Sequence, residues 1–213
     1  GPIPVRRHPR TSWHPFQEAF YRACVAADFP EDRDMNHPEA TGVGALPLNN
    51  PHDIRMSTAF TYLHPNRHRL NLTIRGNAMV RRILFDGSRA TGVEVASGGE
   101  RFIIAADEIV LCGGAVSSPH LLMLSGLGPA AHLRAHGITV VRDVPGIGQN
   151  LRNHPTAGVR ALAAEGFTID AGTPRNQVSL RCTARGSNAR NDLQITPTST
   201  NALGDASREF RIG

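Results

Sequence analysis

The sequence predicts a mixed α/β fold, and three observations carry that prediction. An apolar run, Ile109 to Cys112, breaks at the glycine pair Gly113-Gly114 and passes into a leucine-rich segment with the signals of a helix start. Upstream, strand-like runs are separated by Asp86-Gly87 and Gly98-Gly99, pairs that favour tight hairpins. Near the beginning, Phe16, Ala19, Phe20, Ala23, Cys24 and Ala27 recur at three- and four-residue spacing, the pattern of an amphipathic helix over residues 15–27.

Taken in order, residues 1–13 are proline-rich and read as an extended approach to that helix. The loop from Asp32 to Asn36 imitates the opening of a calcium loop, but His37 stands where the sharp turn needs glycine and Val43 where a bidentate glutamate belongs. It is read as solvated loop. His64 and His68 are four apart, yet Pro65 opposes a regular helix and no third ligand accompanies them, so no metal is expected. Leu72–Ile74 reads as a strand leading into Met79–Phe85, followed by Ala90–Ala96 and Arg101–Ile104, and the turn spacing makes an antiparallel meander of the last three. This meander feeds Ile109–Cys112, expected as a buried strand. A helix is expected to start near Ser118, because Ser117 and Ser118 are N-cap candidates, Pro119 suits the first helical position and Leu121, Leu122 and Leu124 supply an apolar stripe up to Gly126. Pro129–His136 reads as a short helix closed by Gly137, Ile138–Val141 as a strand, and Pro145–Gly148 as a turn cluster. Val178–Cys182 and Asp192–Ile195 are strand-like runs in a loop-rich context.

A strand, a glycine turn and a helix N-terminus gather unpaired N–H groups and a partial positive charge at one point, which suits a phosphate or pyrophosphate. The same arrangement also serves as a tightly packed turn with no ligand. The adenine-nucleotide fingerprint of a dinucleotide fold is not found: its nearest match, Gly126 to Ala131, follows a helix rather than a strand. A formal charge of +5 would raise nucleic acid as a partner, but all 23 basic residues are arginine. They are scattered, adjacent only at Arg6-Arg7 and Arg81-Arg82, and aromatics make up just 5% of the chain, too few for base-stacking platforms. Nucleic acid is therefore not expected. Cys24, Cys112 and Cys182 are odd in number and widely spaced, so reduced thiols are expected rather than a disulfide framework or a zinc site. No apolar run approaches membrane-span length and nothing resembles a signal peptide, which makes a cytoplasmic setting the expectation for this stretch.

The run from Gly114 to Gly128, Gly-Ala-Val-Ser-Ser-Pro-His-Leu-Leu-Met-Leu-Ser-Gly-Leu-Gly, resembles position for position the second signature of the glucose-methanol-choline (GMC) oxidoreductases. Asn71–Ile74, Val80–Gly87, Arg89–Val95 and Pro145–Leu151 look like further family blocks in family order, so that residues 1 to about 160 are covered and the chain reads as choline dehydrogenase-like. The resemblance implies FAD as cofactor and oxidation of CH–OH groups in a small-molecule alcohol, with a flavin-binding domain that includes an antiparallel meander. It divides the chain into part of a substrate-binding region at 1–62, part of the FAD-binding domain at 63–155, and the start of the substrate-binding domain at 156–213. It implies that the backbone at Val80 meets the adenine ring and that Cys112, Gly113 and Gly114 lie close to the middle of the cofactor. The family's proton-accepting histidine lies near its C-terminus, in a motif that none of the ten histidines here matches, so no catalytic residue is assigned. Asn153 stands where the family usually has Asp, which weakens His154 as a candidate. The chain reads as an internal fragment, expected to be inactive alone. Two other readings stay open: a hydroxynitrile lyase of the same family, and a non-catalytic FAD-binding fragment.

Overall fold

His14 and Pro15 set the first helix. The imidazole Nδ1 of His14 accepts the Phe16 N–H (3.3 Å), and Pro15 at the first helical position lacks an N–H that would need a partner. The structure is a computed structural model that describes residues 1–162, 164, 167, 172–199 and 209–212. Its regular elements are α1 (Pro15–Ala26), β1 (Gly42–Ala45), α2 (His64–Asn66), β2 (Met79–Asp86), β3 (Arg89–Ser97), β4 (Glu100–Ala105), α3 (Gly114–Leu124), β5 (Leu127–Gly128), α4 (Ala130–Ala135), β6 (Arg142–Asp143), β7 (Val159–Leu162), β8 (Val178–Cys182), β9 (Leu193–Ile195), β10 (Pro197–Ser199) and β11 (Glu209–Ile212). Helices and strands are mixed, as the α/β class requires. The chain divides into two units, one of residues 1–69 and 155–213, the other of residues 70–154.

The first unit holds two antiparallel three-stranded sheets, in the orders β1-β8-β9 and β10-β11-β7. Its core is Tyr21 and Cys24 of α1 against Val43, Val178, Leu180 and Cys182, with Trp13, Phe20, Phe29 and Ile195 around it. The inward face of α1 differs from the apolar stripe that spacing predicts. Ala19 and Ala23 are exposed, and the buried line is Gln17, Tyr21 and Cys24. Gln17 is fully buried because its amide acts as a stand-in peptide: Nε2 donates to the carbonyls of Arg175 (3.2 Å) and Pro197 (3.0 Å), while Oε1 accepts from the N–H groups of Gln177 (3.3 Å) and Val178 (3.2 Å). Gln177 reciprocates, accepting from His14 N–H (2.8 Å) and donating to Ser12 O (3.0 Å). Four satisfied bonds offset the desolvation that would otherwise bar a buried amide.

On the outer side of α1, Arg10 grips Glu18 through two hydrogen bonds (2.9 and 2.7 Å), and its guanidinium lies 4.4 Å from the Tyr21 ring centre. Arg22 adds a third bond to Glu18 (2.7 Å). The Arg10 hydrogen bond, assisted by Arg22, holds the Glu18 carboxyl down to about 2. A carboxyl depressed in the folded state contributes stability that is present above its ordinary value near 4.5 and is lost as the pH falls towards about 2. Urea unfolding followed by Trp13 fluorescence should therefore show a midpoint that declines through this window, and Arg10→Ala should remove most of that decline. Burial, reinforced by the hydrogen bond to Glu31, pushes Tyr21 up to about 12, so the phenol remains a donor well into alkaline solution.

The second unit contains the meander β2-β3-β4 with the hairpins the glycine pairs predict, and a parallel pair of β5 with β6. Ile83, Val95, Ala130 and Leu133 are its buried apolar residues. Three expected strands are corrected. Among the described residues Leu72–Ile74 and Ile138–Val141 pair with no strand; the ladder to β5 begins at Arg142, opposite Leu127, and Val141 and Arg142 both donate to Gly126 O (2.8 and 3.2 Å). Ile109–Cys112 also pairs with no strand among the described residues, and Val110 is 81% exposed. Apolar composition marks a segment that is suited to burial, but a strand exists only where a neighbour accepts its ladder.

Candidate functional site

The site expected from the sequence centres on the turn between Cys112 and the helix after it. Gly114 has φ +78°, a conformation that residues with a Cβ rarely adopt, and this is what the glycine pair is needed for. The chain is helical from Gly114 itself, four residues before the expected start, so Ser117 and Ser118 lie in the first turns rather than capping, and Pro119 sits inside the helix. The N–H that Pro119 lacks would have bonded Ala115 O, so the helix forgoes one bond there, next to a residue that is exposed. The N-terminus of α3 has no side-chain cap and no acidic residue in its first turn, which leaves its N–H groups for another acceptor.

Facing this helix is the edge strand β2. Its register against β3 shifts between Val80, opposite Val95, and Arg82, opposite Glu94, so that Arg81 is an extra residue in a bulge. Bulges free backbone groups from the ladder and re-aim side chains, and they gather beside functional sites. Between strand and helix lies a groove of about 750 Å³ whose lining includes Val80, Arg81, Arg101, Gly113, Ser118 and His120. Glu94 is the acid in that lining, paired to Arg82 at 2.6 Å and to Arg101 at 4.0 Å. Three arginines against one glutamate, with the positive end of α3 among them, make a groove suited to an anionic ligand of nucleotide size.

Of the four residues assigned to cofactor contact, Val80 and Gly113 line this groove. Gly114 provides the backbone turn behind it, and Cys112 is exposed with a free thiol. Sequence reasoning did not single out Arg101, Glu94 or His120. The two charged residues come together through strand register across β3 and β4, which leaves no local signal. His154 N–H donates to the side chain of its neighbour Asn153 (2.9 Å), and both residues are exposed. Among the described residues no group of three or more His, Cys, Asp or Glu is placed to hold a metal ion, and no helix is long and apolar enough to cross a membrane.

This architecture recurs in solved oxidase structures. All of the chain superposes on 43% of the pyridoxine 4-oxidase structure from Mesorbium loti with a TM-score of 0.84 and 29% identity, and on 46% of a formate oxidase structure with the same score and 19% identity, the latter a likeness of fold alone. The chain belongs to the GMC oxidoreductase family, whose N-terminal family model matches residues 1–156. It is 45% identical over 155 residues to a GMC-type oxidoreductase of Rhodococcus erythropolis, covering 73% of this chain and 31% of that protein. It is also 41% identical over 170 residues to mouse mitochondrial choline dehydrogenase (79% of this chain, 28% of the relative). A chloroplastic fatty acid photodecarboxylase of Chlamydomonas reinhardtii is 40% identical over 162 residues (70% and 26%). The chain thus spans about a third or less of the length of these curated relatives.

Proposed function

We propose that the full-length protein is an FAD-dependent oxidoreductase of the GMC type that oxidises the CH–OH group of a small-molecule alcohol. The observation that carries this reading is the groove between β2 and α3, which brings Val80 and Gly113 together inside a chain of GMC family membership. The residues present fit the cofactor. A bulged edge strand offers main-chain hydrogen-bonding groups to a base, an uncapped helix N-terminus and Arg81 and Arg101 offer positive charge to phosphate, and Gly113 lets the helix start stay close. When bound, FAD supplies the hydride acceptor; the chain's own part is to hold and orient the adenine and pyrophosphate end. The proton acceptor is assigned to no residue of this chain. Residues 63–155 serve the flavin, and residues 1–62 and 156–213 serve the substrate.

The purified full-length protein is expected to carry about one flavin per chain after desalting, and the flavin should bleach without oxygen when choline or a benzylic alcohol is added, with formation of the aldehyde. A flavin that stays oxidised with every alcohol while the protein cleaves a cyanohydrin, or decarboxylates a fatty acid under light, would replace the oxidation reaction by one of those.

A further inference from the structure

We propose that Ser125 is a positioning residue for cofactor binding, a clamp that fixes the two walls of the groove relative to each other. The inference rests on the flavin reading above. One wall is the start of β2, Met79 to Arg82; the other is α3, through Gly113, Ser117, Ser118, Leu121 and Leu124. Ser125 stands at the C-terminal end of α3, 7% exposed, and its hydroxyl makes two hydrogen bonds of opposite sense. It accepts the backbone N–H of Ile83 in β2 (2.8 Å) and donates to the carbonyl of Leu121 in α3 (2.6 Å).

The position of this bond gives it leverage. Ile83 lies just past the bulge at Arg81, where the ladder to β3 is interrupted and the strand is free to change its twist. β2 is an edge strand, and Ser125 satisfies a donor on its open side. The hydroxyl therefore holds β2 from the helix, three residues from Val80. Leu121, whose carbonyl accepts the hydroxyl's hydrogen bond, itself lines the groove. Gly126 follows at φ +88° with its backbone packed so close to Thr139 O that a Cβ there would lie 2.5 Å from it, and its carbonyl accepts from the N–H groups of Val141 (2.8 Å) and Arg142 (3.2 Å). The helix end is thus seated in a fixed turn, and its hydroxyl is the link that carries this fixity to β2.

The test uses the full-length protein with Ser125→Ala, Ser125→Cys and, as a control, Leu133→Ala. Alanine deletes the hydroxyl, and cysteine replaces it with a larger atom that is a weak hydrogen-bond partner, so the two variants break the same bonds with opposite changes in volume. Leu133 is fully buried in α4 and does not line the groove, so its truncation lowers stability without touching the clamp. FAD affinity is measured by titrating deflavinated protein, with visible circular dichroism of the bound flavin and the thermal midpoint read in parallel. Both Ser125 variants should weaken FAD binding about tenfold and alter the dichroism, whereas Leu133→Ala should lower the midpoint with FAD affinity unchanged within about twofold. Ser125 variants that bind FAD like wild type, or a Leu133→Ala protein that loses affinity as much as they do, would overturn the assignment. A wild-type protein that takes up no FAD overturns the flavin reading itself, and the clamp with it.

Discussion

Gly113→Val in the full-length protein should strip it of flavin. Gly113 has φ −77°, so the backbone would accept a side chain; the obstacle is space. A Cβ at this position lies 3.2 Å from Ser117 Cβ and from Ser118 N, and 3.3 Å from Ser118 Oγ, and the two further methyls of valine extend past it. Helix start, groove wall and valine cannot all keep their places. Overpacking of this kind costs about 1–3 kcal/mol, and about 1.4 kcal/mol is a factor of ten in binding, so flavin per protein after desalting should fall to about a tenth of wild type or less. Gly113→Ala adds the first atom alone and should give an intermediate occupancy. Normal flavin content in the valine variant, with normal stability, would place the cofactor away from this turn.

Gln17→Leu should produce the largest loss of stability in the first unit. Leucine matches glutamine in bulk and is more apolar, so a view of the core as a hydrophobic cluster predicts a neutral or stabilising change. The hydrogen bonds predict the opposite. The substitution leaves the buried Gln177 and Val178 N–H groups, and the Arg175 and Pro197 carbonyls, without the Gln17 amide. Two buried donors at about 1–3 kcal/mol each put the loss near 4 kcal/mol, a large share of what a domain of this size has. Urea unfolding should register it through Trp13, which is the chain's sole tryptophan and stacks edge-on against Tyr21 at 5.2 Å. An unchanged midpoint would show that the Gln17 amide contributes nothing beyond its volume.

The parts of the fold that local chemistry dictates were legible in the sequence. Asp86-Gly87 and Gly98-Gly99 mark the two hairpins, and the three strands between and beside them follow from their composition. The extent of α1 was legible too, but its inward face was not: Gln17 faces inward because of partners at residues 175–197, which no count of apolar spacing includes. At α3 the serines and Pro119 imitate a helix start, while the true start is decided by the left-handed Gly114. The run Ile109–Cys112 shows the same limit in a strand, its composition visible and its neighbour not. At the site, the glycine turn was legible from its residues and Val80 from family resemblance. The bulge at Arg81, the Glu94–Arg82 pair and the Ser125 bond depend on register across the meander and on how the end of α3 meets β2.

The central claim is that the groove between β2 and the start of α3 holds the adenine end of FAD. A crystal structure of the full-length protein with its flavin tests it most directly. The account predicts the adenine ring in hydrogen-bonding contact with the backbone at Val80 and cofactor atoms packed against Gly113. A flavin bound elsewhere, with water or side chains filling the space between Val80 and Gly113, would contradict it.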